Sequence, residues 1–203
     1  MGSFNILVAE DRLSLADSRK YKLTALFKGY ARAIEKKIGD ASELAMVSDR
    51  MVPVEKRQFP KSVDVRESAV TADFGTAVDA WQTAALAVVG NPYSCFQGAI
   101  GAAAPILLAN QLLVIYGVSI ETTPMPVSRL QFRNQTNVGN IIAQFDLEQL
   151  IPYDHWFGFF SEPVVVDPSR GISALVQCRI ATGVAGLVRL ATYMFEPAGT
   201  TMA

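Results

Sequence analysis

The sequence is short of the side chains that most enzyme and metal chemistry requires. Among 203 residues there is one histidine, His155, and there are two cysteines, Cys95 and Cys178. A single imidazole removes most triad, metal-cluster and histidine-relay schemes. Two widely spaced thiols form neither a zinc site nor a disulfide framework, so both are expected as small buried hydrophobes. No Gly-Lys-Thr or Gly-Lys-Ser occurs, and Gly98 and Gly101 lack the spacing of a dinucleotide loop. Asp73-Phe74-Gly75 matches a kinase tripeptide without the glycine-rich loop or His-Arg-Asp that would have to accompany it. Asp146 with Glu148, and Asp154 with Glu162, are the carboxylate pairs to weigh for acid and base roles. The first pair lies on the polar side of an alternating segment, where solvation is the ordinary role. No catalytic, cofactor-binding or metal-ligating residue is assigned, and an enzyme is not expected.

Charge is also scarce, and its scarcity is local. Residues 1–75 hold 13 Lys or Arg and 11 Asp or Glu, whereas residues 76–203 hold 5 and 8; no Lys follows Lys61. A body of 128 residues with 13 charged side chains has little with which to wet a monomer's surface, which favours an oligomer or a shell. The alternative is a compact domain surfaced with Ser, Thr, Asn and Gln. Ala80 to Ile120 carries no charge, and Gly98 to Val118 is long enough to cross a bilayer. Pro105, Asn110 and Gln111 interrupt that stretch, and a buried strand or helix pair is the expected form. The N-terminus has acidic residues by position 10 and no apolar run behind a basic start, so a secretory signal is not expected.

The charged third reads as helical. Leu23, Leu26, Phe27, Tyr30, Ala31, Ile34 and Ile38 recur at three- and four-residue steps. Asp17 or Ser18 is the candidate N-cap, and Gly39 stands where a left-handed C-terminal residue belongs. The other face carries Arg19, Lys20, Lys22, Lys28, Arg32, Lys36 and Lys37. Such a basic amphipathic helix suits an anionic membrane surface, or it docks on its own domain with a solvated charged face. Acidic neighbours dilute the patch, so direct nucleic-acid binding is not expected. Asp40-Ala41-Ser42-Glu43 has the form of a capping box, predicting a short second helix through Met51. Pro53 to Val70 reads as an extended linker, and Thr76 to Val89 as a helix stopped by Gly90-Asn91-Pro92.

Beyond that point the period changes to two. Leu112 to Ile120 is an apolar β-prone run; Arg129 to Arg133 alternates, as do Ile141 to Leu147 and Ile172 to Ile180. Trp156 to Phe160, Pro163 to Asp167 and Leu187 to Phe195 are further extended segments, and Asp167-Pro168-Ser169-Arg170-Gly171 is a strong turn. Short strands at this spacing indicate an antiparallel sandwich or barrel.

Thr122 to Leu150, Ser161-Glu162-Pro163-Val164-Val165-Val166 and the closing Tyr193-Met194-Phe195-Glu196-Pro197-Ala198-Gly199 resemble jelly-roll major capsid proteins of icosahedral bacteriophages that contain an internal membrane. The likeness covers residues 112–199 and rests on strand rhythm and the Glu-Pro endings. It implies a mainly β chain, an antiparallel jelly-roll β-sandwich with an N-terminal α-helical extension. It further implies a capsid subunit of the virion, made in the host cytoplasm, whose partners are copies of itself, other capsid proteins and the internal viral membrane. Many members carry two jelly rolls; residues 71–203 have room for one. The expected division is a helical arm over 1–52, a linker over 53–70 and the β domain over 71–203. Leu23, Leu26, Phe27, Tyr30, Ile34, Lys22, Lys28, Arg32, Lys36 and Lys37 form the expected assembly or membrane-facing helix. No cofactor is expected. The alternative function is a non-viral oligomeric β-sandwich binding module, for example for carbohydrate, with Trp81, Tyr93, Tyr153 and Trp156 as ungrouped aromatic candidates. On this division, removal of residues 1–52 leaves a folded body and impairs assembly, which circular dichroism and electron microscopy of the truncated chain would check.

Overall fold

The computed structural model of the chain describes residues 3–4, 6–36, 38, 63–67, 86–95, 107, 109, 111–120, 124–134, 140–183 and 188–197. In chain order these form β1 (Ser3–Phe4), β2 (Leu7–Ala9), α1 (Leu15–Glu35), β3 (Val63–Glu67), β4 (Pro92–Ser94), β5 (Leu112–Ile120), β6 (Val127–Asn134), β7 (Ile141–Asp146), β8 (Phe157–Val166), β9 (Ile172–Cys178) and β10 (Val188–Pro197). Two short 3-10 turns, Glu10–Arg12 and Leu147–Leu150, join them. Strands β3 to β10 make two antiparallel four-stranded sheets, ordered β7-β6-β9-β4 and β8-β5-β10-β3. The N-terminal strands extend one edge of each, β1 lying parallel to β7 and β2 antiparallel to β8. The described residues are thus mainly β, a two-sheet sandwich with one N-terminal helix.

The alternating segments of β6 and β7 become half-buried strands because only one of their faces meets apolar partners. In β6, Leu130 and Phe132 point inward while Arg129, Gln131 and Arg133 point out; a register shift between Val127 and Arg129 turns Val127 inward as well. Between the sheets Phe145 stacks on Phe160 at 4.0 Å between centroids, and Phe132 meets both rings edge-on. Each such ring contributes roughly 1.5–3 kcal/mol through area removed from water. Both cysteines are buried and unbridged, and burial raises the pKa of each thiol.

Strand β5 has no polar face because neither of its sides meets water. Leu113, Ile115, Val118 and Ile120 face the opposite sheet, while Leu112, Val114 and Tyr116 face α1. The parity changes across an irregularity in pairing with β8 between Ile115 and Gly117. A strand covered on both faces reads as a continuous hydrophobic run. That explains the uncharged run Leu112–Ile120, and among the described residues no helix is long and apolar enough to cross a membrane.

Several expectations require correction. Trp156 to Phe160 and Pro163 to Asp167 are not separate segments but one strand with a wide bulge, since Ile115 pairs with Val164 and Gly117 with Phe159. Within the bulge Ser161 donates its N–H to the Ile6 carbonyl at 2.8 Å, and its Oγ accepts from the Ile6 N–H at 3.1 Å. The segment 53–70 is not all linker: residues 63–67 pair with β10 from Val63↔Pro197 to Glu67↔Tyr193. Nor does a helix run to Val89. Leu86 to Val89 are non-helical, Asn91 donates to the Val88 carbonyl, and Gly90 adopts φ +83°, a conformation that costs glycine little. The expected second helix, and positions 76–85 of the next, lie outside the described residues.

The division by charge does not follow the packing. Residues 3–4 and 6–9 are hydrogen-bonded into the two sheets, and α1 covers the outer face of β8-β5-β10-β3. Deleting residues 1–36 would bare Leu112, Val114, Phe159 and Phe195, so that chain is expected to aggregate or lose its cooperative thermal transition; a native-like melt would refute the docking. Phe132→Ala is expected to cost about 3–5 kcal/mol in urea unfolding.

Candidate functional site

The basic helix is the candidate site, and its local sequence explains its start. Ser14, rather than Asp17 or Ser18, is the N-cap: its Oγ accepts from the Asp17 N–H at 3.2 Å and donates to the Asp17 carboxylate at 2.7 Å. Asp17 also pairs with Lys20 at 2.8 Å, and the negative charge sits in the first turn, where the helix dipole favours it. These contacts hold the Asp17 carboxyl below its ordinary pKa, chiefly through Lys20.

The face that α1 buries is rotated from the expected stripe. Ala25, Gly29, Tyr30 and Ala33 are buried, with Tyr21, Leu26 and Ile34 packed beside them, whereas Phe27 is 44% exposed and Ala31 is exposed. Leu23 is half-buried. The sheet beneath is studded with rings: Tyr21 stacks on Phe159 at 5.3 Å, Tyr30 meets Phe195 edge-on at 5.2 Å, and Tyr116 stacks on Tyr193 at 4.7 Å. Large rings on the sheet require small residues on the helix. A Cβ at Gly29 would collide with the Phe195 ring. The sequence signal for this face was Ala25, Gly29 and Ala33 at four-residue steps; the larger Leu and Phe side chains drew the stripe elsewhere.

Most of the expected cations are spent on the chain's own sheet. Arg32 donates to both oxygens of Asp167, at 2.7 and 2.6 Å, and Lys36 Nζ lies 3.4 Å from the same carboxylate. Arg32 also pairs with Glu35 at 2.6 Å. Lys28 donates to Glu162 at 2.7 Å and reaches the Pro163 carbonyl at 3.4 Å, both in the β8 bulge. Lys22 is half-buried, and Lys37 lies outside the described residues. The Asp167 carboxyl is held below its usual range, first by hydrogen bonds from Arg32, and Glu162 is lowered in the same way by Lys28. The Arg32 guanidinium is correspondingly raised by Asp167 and Glu35. The outward face of α1 presents Leu15, which is 70% exposed, with Arg19, Lys20, Thr24 and Phe27.

Two further places carry polar groups. At the corner after β2, Asp11 accepts from the His155 N–H at 3.0 Å and lies 3.3 Å from His155 Nδ1, and Arg12 sits over the Tyr153 ring. The Asp11 carboxyl is lowered, mainly by that backbone hydrogen bond. His155 is 80% exposed, so it ties down a corner and lies in no cleft. On the outer face of β7-β6-β9-β4 two shallow grooves lie side by side. One of about 530 Å³ is lined by Ile6, Ser128, Arg129, Gln144, Asp146 and Glu148; the other, of about 250 Å³, by Arg129, Gln131, Arg133, Leu175 and Gln177. Asp146 and Glu148 thus stand on the solvated face, and Glu148 lies 3.4 Å from Arg179. Glu162 is engaged by Lys28. Tyr93, Tyr153 and Trp156 all pack against the core between the sheets, while Trp81 lies outside the described residues. Among the described residues no group of three His, Cys, Asp or Glu is placed to hold a metal ion.

Compared with known protein families, curated proteins and solved structures, the chain matches none.

Two tests address the docked helix. Gly29→Leu is expected to destabilise the fold by about 1–3 kcal/mol in denaturant unfolding, as overpacking does. Because the folded pKa of Asp167 is depressed, its contribution is present above the unfolded carboxylate value and fades as pH falls through the folded one. Asp167→Asn is therefore expected to lower stability at neutral pH and to flatten its acid-side decline, read from unfolding midpoints between about pH 7 and pH 2.

Proposed function

We propose that this protein is a shell-forming structural subunit, a single jelly roll that assembles with copies of itself into a capsid. The observation that carries this reading is the strand order. Numbered along the chain, the eight strands from β3 to β10 alternate between β8-β5-β10-β3 and β7-β6-β9-β4 except at β6 and β7, which pair as neighbours in one sheet. This interleaving places the first strand beside the last, as the two Greek keys of a jelly roll do.

Two properties favour a shell over the other uses of that architecture. The metal-dependent enzymes on it draw on several histidines, and this chain has one. Its body has few charges for its size, while Val88, Val89, Ile141, Ile142 and Ile151 on it are exposed. Apolar side chains on a charge-poor surface suit burial between neighbours.

In this reading α1 acts as a fixed ridge. Its inner face holds the sheet, and its outer face, with Leu15, Arg19 and Phe27, meets a neighbouring subunit or the anionic surface of an internal membrane. Electron microscopy of native particles, with antibody against this chain, is the test. Labelled shells with regularly spaced subunits are expected; particles lacking the chain, or a strict monomer from its native source, would overturn the reading.

A further inference from the structure

The outward side chains of β6 stand in rows set by strand register. Arg129 is directly opposite Gln177 of β9 on one side and Asp146 of β7 on the other. Ile6, 66% exposed, lines the groove beside Asp146. The row therefore runs amide, cation, anion, apolar. On the β9 side the described lining of the groove includes Arg129, Arg133 and Gln177 and no carboxylate. On the β7 side the described lining holds Asp146 and Glu148, and Arg129 is its one cation.

Within the chain these groups leave their charge largely unspent. Arg129 is exposed and, among the described residues, forms no ion pair, although Asp146 is its cross-strand neighbour. Asp146 directs Oδ1 to the Glu148 N–H at 3.0 Å. Gln131, by contrast, is committed: its Oε1 accepts from Arg133 at 3.0 Å and its Nε2 donates to Gln144 at 2.7 Å.

We propose that this sheet face binds a second copy of the chain about a two-fold axis parallel to β6. An axis lying in the contact plane between β6 and β7 reverses the row. Arg129 then meets the partner's Asp146, Asp146 meets the partner's Arg129, and Ile6 comes over the partner's Gln177. Such a contact is isologous, with one patch serving both sides. The occupant is another copy because the cation and anion at the centre of the row are complementary to their own reverse. The proposal rests on the self-assembling reading and names one of the contacts it would use.

The test is sedimentation velocity of the full chain across a concentration series to about 1 mM, beside Arg129→Asp and Asp146→Arg. Wild type is expected to dimerise, and each variant to associate roughly tenfold or more weakly, since two attractive pairs become two repulsive ones. An equimolar mixture of the two variants restores both pairs and is expected to dimerise again. A thermal melt of each variant separates misfolding from lost association, and Arg129→Gln, which removes the cation without setting two carboxylates opposite each other, decides the matter if either charge reversal misfolds. A wild type that stays monomeric, or an Arg129→Asp chain that dimerises like wild type, would overturn the contact. Regular particles formed by Arg129→Asp with unchanged self-association would remove this contact and leave the shell reading standing.

Discussion

The packing of α1 on the outer face of β8-β5-β10-β3 is the constraint on which the rest depends. It converts a two-layer sandwich into three layers and buries the middle sheet on both sides. Leu112, Val114, Tyr116, Phe159 and Phe195 then need no polar replacement, and β5 needs no alternation. The tolerances follow from the same contact. Aromatic rings rise from the sheet, so the helix must offer Ala25, Gly29 and Ala33 beneath its backbone. Close packing at interior density leaves little room for any other choice.

Electrostatics fixes how the helix lies. Arg32, Lys36 and Lys28 fall along one side of α1, and Asp167 and Glu162 at the end and in the bulge of β8 receive them. Pairs this exposed each contribute little to stability. Their geometry is more informative than their energy, because a bidentate guanidinium–carboxylate contact fixes orientation. The bulge that presents Glu162 also receives Ile6 through Ser161. One irregularity in β8 therefore anchors both the helix and the strand that precedes it. Short strands β1 and β2 cover edges that would otherwise offer unpaired backbone groups.

What was legible in the sequence followed from local repetition. The alternation of β6 and β7 marked half-buried strands, because each has one polar and one apolar face along its own length; β9 alternates likewise but is buried on both sides. The helix was legible from its period, but the face it buries was not. Residue size drew the stripe to Leu23, Phe27 and Ala31, while the sheet's aromatic rings selected the small side of the helix. Strands β1 and β2 are too short to show a period, and β3 sits among charges that resemble a linker. Their pairing depends on β7, β8 and β10, which are remote in the chain. The row Gln177, Arg129 and Asp146 was illegible for the same reason, since three strands contribute one residue each.

The sequence by itself determined that a basic amphipathic helix precedes a run of β-strands, and that the body is nearly without charge. Each of these is a property of neighbouring residues and needs no partner to be read. Only the tertiary structure decided that α1 and the strands β1 to β3 of the charged third pack into the sandwich, that the cations of α1 are matched by carboxylates about 135 positions away, and that one sheet is buried on both faces. Those facts depend on which strands meet and in what register, and long-range pairing of that kind leaves no periodic trace in the residues that take part in it.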